Sequence, residues 1–182
     1  MSNIQVCWVR VDDRLIHGQV TVAWRRYLGF DEIWVVDDGV RGDPLANAFA
    51  WQSVLCAAAP SGVQVRVYAI QEAIQALQGA RFSPQAKKSA NALRSPKVLL
   101  LVRHPQTALA LLEGGVPIPH LNVGNVAAAP GRRRAFKSTA LGPEHVAALD
   151  ALDAQGVQIA FQLTPDDPQA NWQTVRRKME HG

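Results

Sequence analysis

The five consecutive apolar residues Val98–Val102 (VLLLV) restrict the fold more than any other stretch of the chain. A strand without polar alternation must be covered on both faces, and the interior of a mainly parallel sheet flanked by helices provides that cover. Short β-branched runs elsewhere alternate with helical patterns, which is the signature of the same architecture. Strands are expected at Ile4–Val11, Ile33–Val36, Val63–Tyr68, His120–Val123, Ala135–Ala140 and Val157–Gln162. In Val63–Tyr68 valine alternates with Gln and Arg, so that strand belongs near an edge of the sheet.

Helices fill the intervals. Val20, Ala23, Trp24, Tyr27 and Leu28 share one face at helical spacing, and Gly29 supplies the stop after Arg25 and Arg26. Further helices are expected at Pro44–Ala58, Glu72–Leu77, Pro105–Glu113 and Pro143–Ala154, and Gly79–Pro96 reads as a polar loop. The fold class is α/β, an open and mainly parallel sheet of about seven strands with helices on both faces and a short antiparallel edge near the C-terminus. Residues 1–163 form that domain. Residues 164–182 form a tail whose Trp172, Val175 and Met179 lie on one helical face and dock on the body.

The chain has 182 residues, 48% hydrophobic and 19% charged, enough to bury a real core. Its formal net charge of +4 favours anionic ligands or acidic protein surfaces without forming a polybasic tail. Cys7 and Cys56 lack metal-ligand spacing and suit reduced cytosolic thiols. Arg10, Asp12 and Asp13 interrupt the N-terminal region before a signal segment could form, and no apolar run reaches the ~18 residues of a membrane span. A soluble, cytoplasmic protein is expected.

The densest titratable cluster follows the first strand, in Asp12-Asp13-Arg14-Leu15-Ile16-His17-Gly18-Gln19. A strand-to-helix loop at the C-terminal edge of a parallel sheet is where such folds bind ligands. A neutral imidazole can attack a phosphoryl group and later surrender it, dividing one transfer into two. Arg14 offers a planar fork of donors to phosphate oxygens, Gly18 lets backbone approach an anion, and the following helix N-terminus favours negative charge. Asp12 or Asp13 could bond the second ring nitrogen and fix the tautomer. The plainer alternative is a turn held by capping and ion pairing.

The run Arg10-Val11-Asp12-Asp13-Arg14-Leu15-Ile16-His17-Gly18-Gln19-Val20 resembles the phosphorylation-site signature of the mannose/fructose/sorbose-family IIB components of the bacterial phosphoenolpyruvate-dependent sugar phosphotransferase system. Weaker matches fall in the same order: Val35-Val36-Asp37-Asp38, Glu113-Gly114-Gly115-Val116, Asn122-Val123-Gly124, and Gly131-Arg132 where that family usually has Gly-Lys. Asn125 stands where the family commonly has a second glycine, and Val126-Ala127 replaces a frequent Met-His pair.

The resemblance implies an open α/β fold over residues 4–163 and a sugar phosphotransferase acting through a phosphohistidine. His17 would take phosphate on Nδ1 from a phosphohistidine of the IIA component. It would then pass the phosphate to a sugar entering through the membrane IIC and IID components, with no metal or nucleotide. Arg14, Asp12, Gly18 and Gln19 would support the phosphoryl group. The protein would sit in the cytoplasm at the face of a membrane transporter, and a homodimer is one open arrangement.

Two alternatives stand beside this: a regulatory phosphocarrier using the same histidine, and a nonenzymatic anion- or nucleic-acid-binding module. Arg132 and Arg133, with Arg134, read as a loop that is either a solvated turn or a rim of positive charge that meets an acidic IIA surface or helps the phosphate. Neither this run nor Arg176-Arg177-Lys178 interleaves aromatics as single-strand binding requires, so nucleic acid is not an expected partner. His104, His120, His145 and His181 lack metal-site spacing.

Overall fold

The structure, a computed structural model, describes residues 4–41, 48–82 and 96–181. In chain order the elements are β1 (Gln5–Asp12), α1 (Gly18–Leu28), β2 (Glu32–Val36), α2 (Asp38–Arg41), α3 (Ala48–Ala58), β3 (Gln64–Tyr68), α4 (Ile70–Leu77), β4 (Arg81–Phe82) and β5 (Lys97–Val102). They continue with α5 (Pro105–Glu113), β6 (His120–Asn125), β7 (Arg133–Phe136), β8 (Thr139–Leu141), α6 (Pro143–Ala154), β9 (Gln158–Phe161), β10 (Ala170–Asn171) and α7 (Trp172–His181).

The main sheet runs β10-β9-β6-β1-β5-β2-β3, parallel except for the edge strand β10, which pairs antiparallel with β9. The α/β fold with its mainly parallel sheet and antiparallel edge near the C-terminus is therefore as the sequence pattern requires. The apolar run divides its side chains between two cores: Val98, Leu100 and Val102 join one, Leu99 and Leu101 the other. The first core lies under α4, α5, α6 and α7, and includes Leu77, Leu111, Leu149 and Trp172. The second lies under α1 and α3 and includes Trp24, Leu28 and Leu55. Strand β3 is at the sheet edge, as its alternation predicted.

Local corrections have local causes. Residues 81–82, expected in a loop, pair parallel with Gln5 and Val6, ahead of the stretch of β1 that joins β6. Residues 83–95 of that loop lie outside the described residues, as do 44–47 of the expected Pro44–Ala58 helix. The strand expected at Ala135–Ala140 is a hairpin, β7 against β8, because residues 137–138 turn the chain. That hairpin takes Arg133 and Arg134 out of the expected loop and into a strand.

Tyr27 is 68% exposed, although helical spacing put it on the buried face. Helix α1 rests on the sheet along Thr21, Trp24 and Leu28, which rotates Tyr27 to the flank, where an amphipathic ring tolerates water. Gly29 ends α1 in the left-handed region at φ 65°, a conformation glycine adopts without a Cβ penalty. The tail helix α7 docks through Trp172, whose indole is buried and donates to Asp150 Oδ1 at 2.9 Å.

The topology fixes the place of the crevice. After β1 the chain passes through α1 toward β2, whereas after β6 it departs on the other side toward β9. Neighbouring strands whose connections leave in opposite directions open a crevice at their C-terminal ends. The loops after β1 and β6 meet there, where Asp13 N–H donates to the Asn125 carbonyl at 3.2 Å.

Candidate functional site

Strand β1 carries a charge where its neighbours are apolar. Arg10 is 2% exposed, and burial pushes its guanidinium pKa down while Asp12 pushes it back up. A buried charge must be paired. Its Nη2 donates to Asp12 Oδ2 at 3.0 Å, and its Nη1 donates to the side-chain oxygen of Asn122 and to the Gln162 carbonyl at 3.1 Å. The guanidinium lies 5.4 Å from the Trp24 ring centroid, a favourable cation–π distance. Gly124, on the adjacent strand β6, leaves the space it occupies: a Cβ at that position would overlap the guanidinium.

Asp12, also buried, turns this anchor toward the loop. Its Oδ1 accepts from the backbone N–H of Arg14 at 3.3 Å and from Arg14 Nε at 3.2 Å. Its Oδ2 accepts from Arg14 Nη2 at 3.4 Å and lies 3.3 Å from His17 Nε2. A carboxylate accepts but cannot donate, so the neutral imidazole carries its proton on Nε2 and its lone pair on Nδ1. The His17 side chain is 27% exposed and that of Arg14 44% exposed. Both side chains are therefore accessible from solvent.

The loop is held by apolar anchors and one unusual dihedral. Leu15 and Ile16 are buried in the core beneath α1, and Leu15 sits at φ 57°, an uncommon region for a bulky residue. The Leu15 N–H closes the turn on the Asp12 carbonyl at 2.9 Å. His17 then occupies the N-cap position with extended backbone, and α1 starts at Gly18, φ 29°. The first turn of α1 has no acidic residue, so its N-terminal dipole is left for an external anion.

Of the two aspartates offered for the ring nitrogen, Asp12 takes that place. Asp13 reaches across to β6, accepting from Asn125 Nδ2 and from the Ala127 N–H at 2.6 Å. Gln19 follows in the first turn of α1, and its side chain lies outside the described residues. Arg132 is half-buried and donates to the Ala127 carbonyl at 2.9 Å, on the segment that holds Asp13. Arg133 starts β7 with an exposed side chain and takes no part in these contacts.

Sequence reasoning passed over Arg10 as a site residue, along with Asn122 and Gly124. One signal was available. Arg10 and Asp12 are two apart on a strand, so their side chains share a face, and a charge inside an otherwise apolar strand needs its counter-charge near. Cys7, read as core, is core: its thiol is pushed up to about 12 by burial.

A mainly parallel α/β sheet that sets a half-exposed, carboxylate-oriented histidine and an arginine at its switch point belongs to the class of open α/β proteins with a ligand crevice at the C-terminal edge of the sheet. The comparisons give the class its particular membership. The family model described as "PTS system sorbose subfamily IIB component" matches residues 6–181, and the chain belongs to that family. It is 29% identical over 168 residues to the sorbose-specific EIIB component of Klebsiella pneumoniae, covering 92% of this chain and 93% of that protein. It is 31% identical over 159 residues to the N-acetylgalactosamine-specific phosphotransferase enzyme IIB component 2 of Escherichia coli K12, covering 87% of this chain and 90% of the relative. The crystal structure of the IIBSor domain of the Klebsiella pneumoniae sorbose permease superposes with a TM-score of 0.80 at 29% identity, over 96% of this chain and 98% of that one.

The protein is thus a sugar-specific IIB component, and such components are phosphotransferases that work with IIA and IIC/IID partners. The regulatory and nucleic-acid-binding alternatives gain no support. Among the described residues no helix is long and apolar enough to cross a membrane.

Proposed function

We propose that His17 is the residue phosphorylated in this IIB component, at Nδ1. The observation that carries the reading is the 3.3 Å approach of Asp12 Oδ2 to His17 Nε2, which commits that nitrogen to its proton. The Nδ1 lone pair attacks the phosphorus of a phosphohistidine on the IIA component. A new P–N bond forms as the donor's P–N bond breaks, and the donor imidazole leaves. The ring of His17 gains positive character in this step, which the Asp12 carboxylate stabilises through Nε2–H. Phosphoryl transfer requires chiefly positioning and charge compensation. Arg14 and the α1 N-terminus supply the second, Gly18 the close backbone approach, and Gln19 stands beside them in the first turn.

In the return step a sugar hydroxyl attacks the phosphorus, the P–N bond to Nδ1 breaks, and the hydroxyl proton is released. The sugar arrives through the membrane IIC and IID components, so the protein works in the cytoplasm against a membrane transporter. Arg132 and Arg133 contribute to the positive rim that meets the IIA component. The phosphotransfer unit is residues 1–163, with residues 164–182 as a tail packed on it.

The test is incubation with phosphoenolpyruvate, enzyme I, the histidine phosphocarrier and a cognate IIA component. An acid-labile phosphate that is absent in His17→Ala and present in His181→Ala is the expected outcome. Label retained without His17 overturns the assignment.

A further inference from the structure

We propose that the cleft between the β6 loop and the β7–β8 hairpin binds a small phosphate monoester of the hexose phosphate class. The choice of ligand rests on the phosphotransfer reading, whose product is a sugar phosphate; the chemistry of the cleft does not. The cleft encloses about 270 Å³ and is lined by Asn125, Ala127, Arg132, Arg134, Lys137 and Thr139, among others. Three cations in one concavity set the sign of the ligand. Lys137 is already compensated, with Nζ 3.1 Å from Asp167 Oδ1. Arg132 and Arg134 are not. Each donates one N–H to a backbone carbonyl, Ala127 at 2.9 Å and Lys137 at 3.2 Å, and among the described residues neither pairs with a carboxylate. Two guanidinium groups held in this way keep further donors for phosphate oxygens.

Thr139, 2% exposed, closes the wall with its hydroxyl sealed away from the cleft, so recognition falls to the arginines and Asn125. The walls are preformed. Ser138 Oγ donates to the Gly124 carbonyl at 2.7 Å, and Ala140 N–H donates to the Val126 carbonyl at 2.8 Å, fixing the hairpin to β6. The space exceeds what a bare phosphate fills, since a single water's share of liquid is only roughly 30 Å³. Asn125 adds a neutral polar group suited to sugar hydroxyls.

The cleft adjoins the phosphotransfer loop through one residue. Asn125 and Ala127, both in its wall, hold Asp13, which lies between Asp12 and Arg14. A bound hexose phosphate therefore sits beside the loop that carries His17 without using its groups.

Glucose 6-phosphate titrated into the full chain at constant ionic strength, followed by amide NMR, tests this, with glucose and inorganic phosphate as controls. The expected result is saturable shifts at amides of residues 125–140, with affinity weakened about tenfold in Arg134→Ala. His17→Ala should bind equally well, so the outcome is separate from the phosphorylation assay. Inorganic phosphate binding as tightly as the ester would show an adventitious anion only and overturn the proposal. Shifts confined to residues 12–18 and lost in His17→Ala would overturn it by placing the ligand in the phosphotransfer site. Shifts at residues 125–140 produced only by an added IIA component would overturn it in favour of a protein surface.

Discussion

Asp12 touches His17 through Nε2 and not through Nδ1, and this choice of nitrogen determines what the imidazole can do. The same carboxylate accepts from Arg10 and Arg14, so three cationic or protic groups converge on a side chain that is 1% exposed. Asp12→Asn keeps the shape and removes the charge, leaving a neutral amide between two guanidinium groups. Phosphorylation by the IIA component should slow by about 10²-fold or more, the scale of a positioned group's contribution to proton and charge management. Heteronuclear NMR of the ring should show the Nε2–H tautomer losing its dominance. A rate loss no larger than the loss of folded protein explains, with the tautomer unchanged, would reduce Asp12 to a structural residue.

Gly124 and Arg10 form a second pair that can be tested by sign. An alanine normally gains about 0.4–1 kcal/mol over glycine where the backbone tolerates it, through the unfolded chain. Here the methyl would collide with the Arg10 guanidinium. Gly124→Ala should destabilise instead, by about 1–3 kcal/mol, as overpacked cores do. Arg10→Met should cost about 3–5 kcal/mol, because it leaves Asp12 buried with one partner fewer. The double variant should be more stable than the two losses added together, since removing the guanidinium makes room for the methyl. Strict additivity in urea unfolding would mean that the two residues do not compete for space.

The architecture was readable because local pattern and global fold agree. A strand apolar on both faces requires a two-sided sheet, and Val98–Val102 indeed feeds two cores. The loop at His17 was readable because its polar groups crowd the end of β1. Arg10 was not recognised as part of the site, since its partners Asn122 and Gln162 are more than a hundred residues away in sequence and only the β1–β6 pairing brings them near. The role of Asn125 was hidden for the same reason: next to the glycine of β6 it looks like drift, but in space it holds Asp13. Tyr27 misled through periodicity, because a stripe one residue too wide cannot say which flank meets the sheet.

The two cysteines should differ sharply in reactivity. The Cys7 thiol is buried, donates to the Val98 carbonyl at 3.3 Å, and is pushed up to about 12 by desolvation, whereas Cys56 is exposed on α3. The thiolate is the nucleophile, so Cys7 should be inert in the folded protein. Iodoacetamide at mildly alkaline pH should add one label to the native chain and two after denaturation, read by intact mass. A second label on the native protein at the same rate would mean that β1 opens readily.

His145 should make the protein acid-sensitive. It is 1% exposed in the first turn of α6, 5.7 Å from His104 between ring centroids. Burial, the largest influence, lowers its pKa from 6.5, Glu144 opposes, Arg132 and His104 lower it further, and Asp13 opposes weakly. Its Nδ1 lies 3.1 Å from the Gly142 N–H and 2.9 Å from Glu144 Oε1, and one nitrogen cannot accept from the first while donating to the second. The buried neutral ring selects the Gly142 bond, and Glu144, 55% exposed, can turn to solvent. With the folded pKa depressed, the unfolded chain binds more protons between that value and 6.5, so stability is complete above 6.5 and falls as pH drops through the folded pKa. His104, also lowered chiefly by burial, adds to the same window. Asp167, held below 3.8 by Thr164 and Lys137, acts only at far lower pH. Thermal stability should thus fall as the pH drops below about 6.5, and His145→Gln, whose oxygen can still accept from Gly142, should flatten that slope. An unaltered slope in the variant would place the acid sensitivity elsewhere.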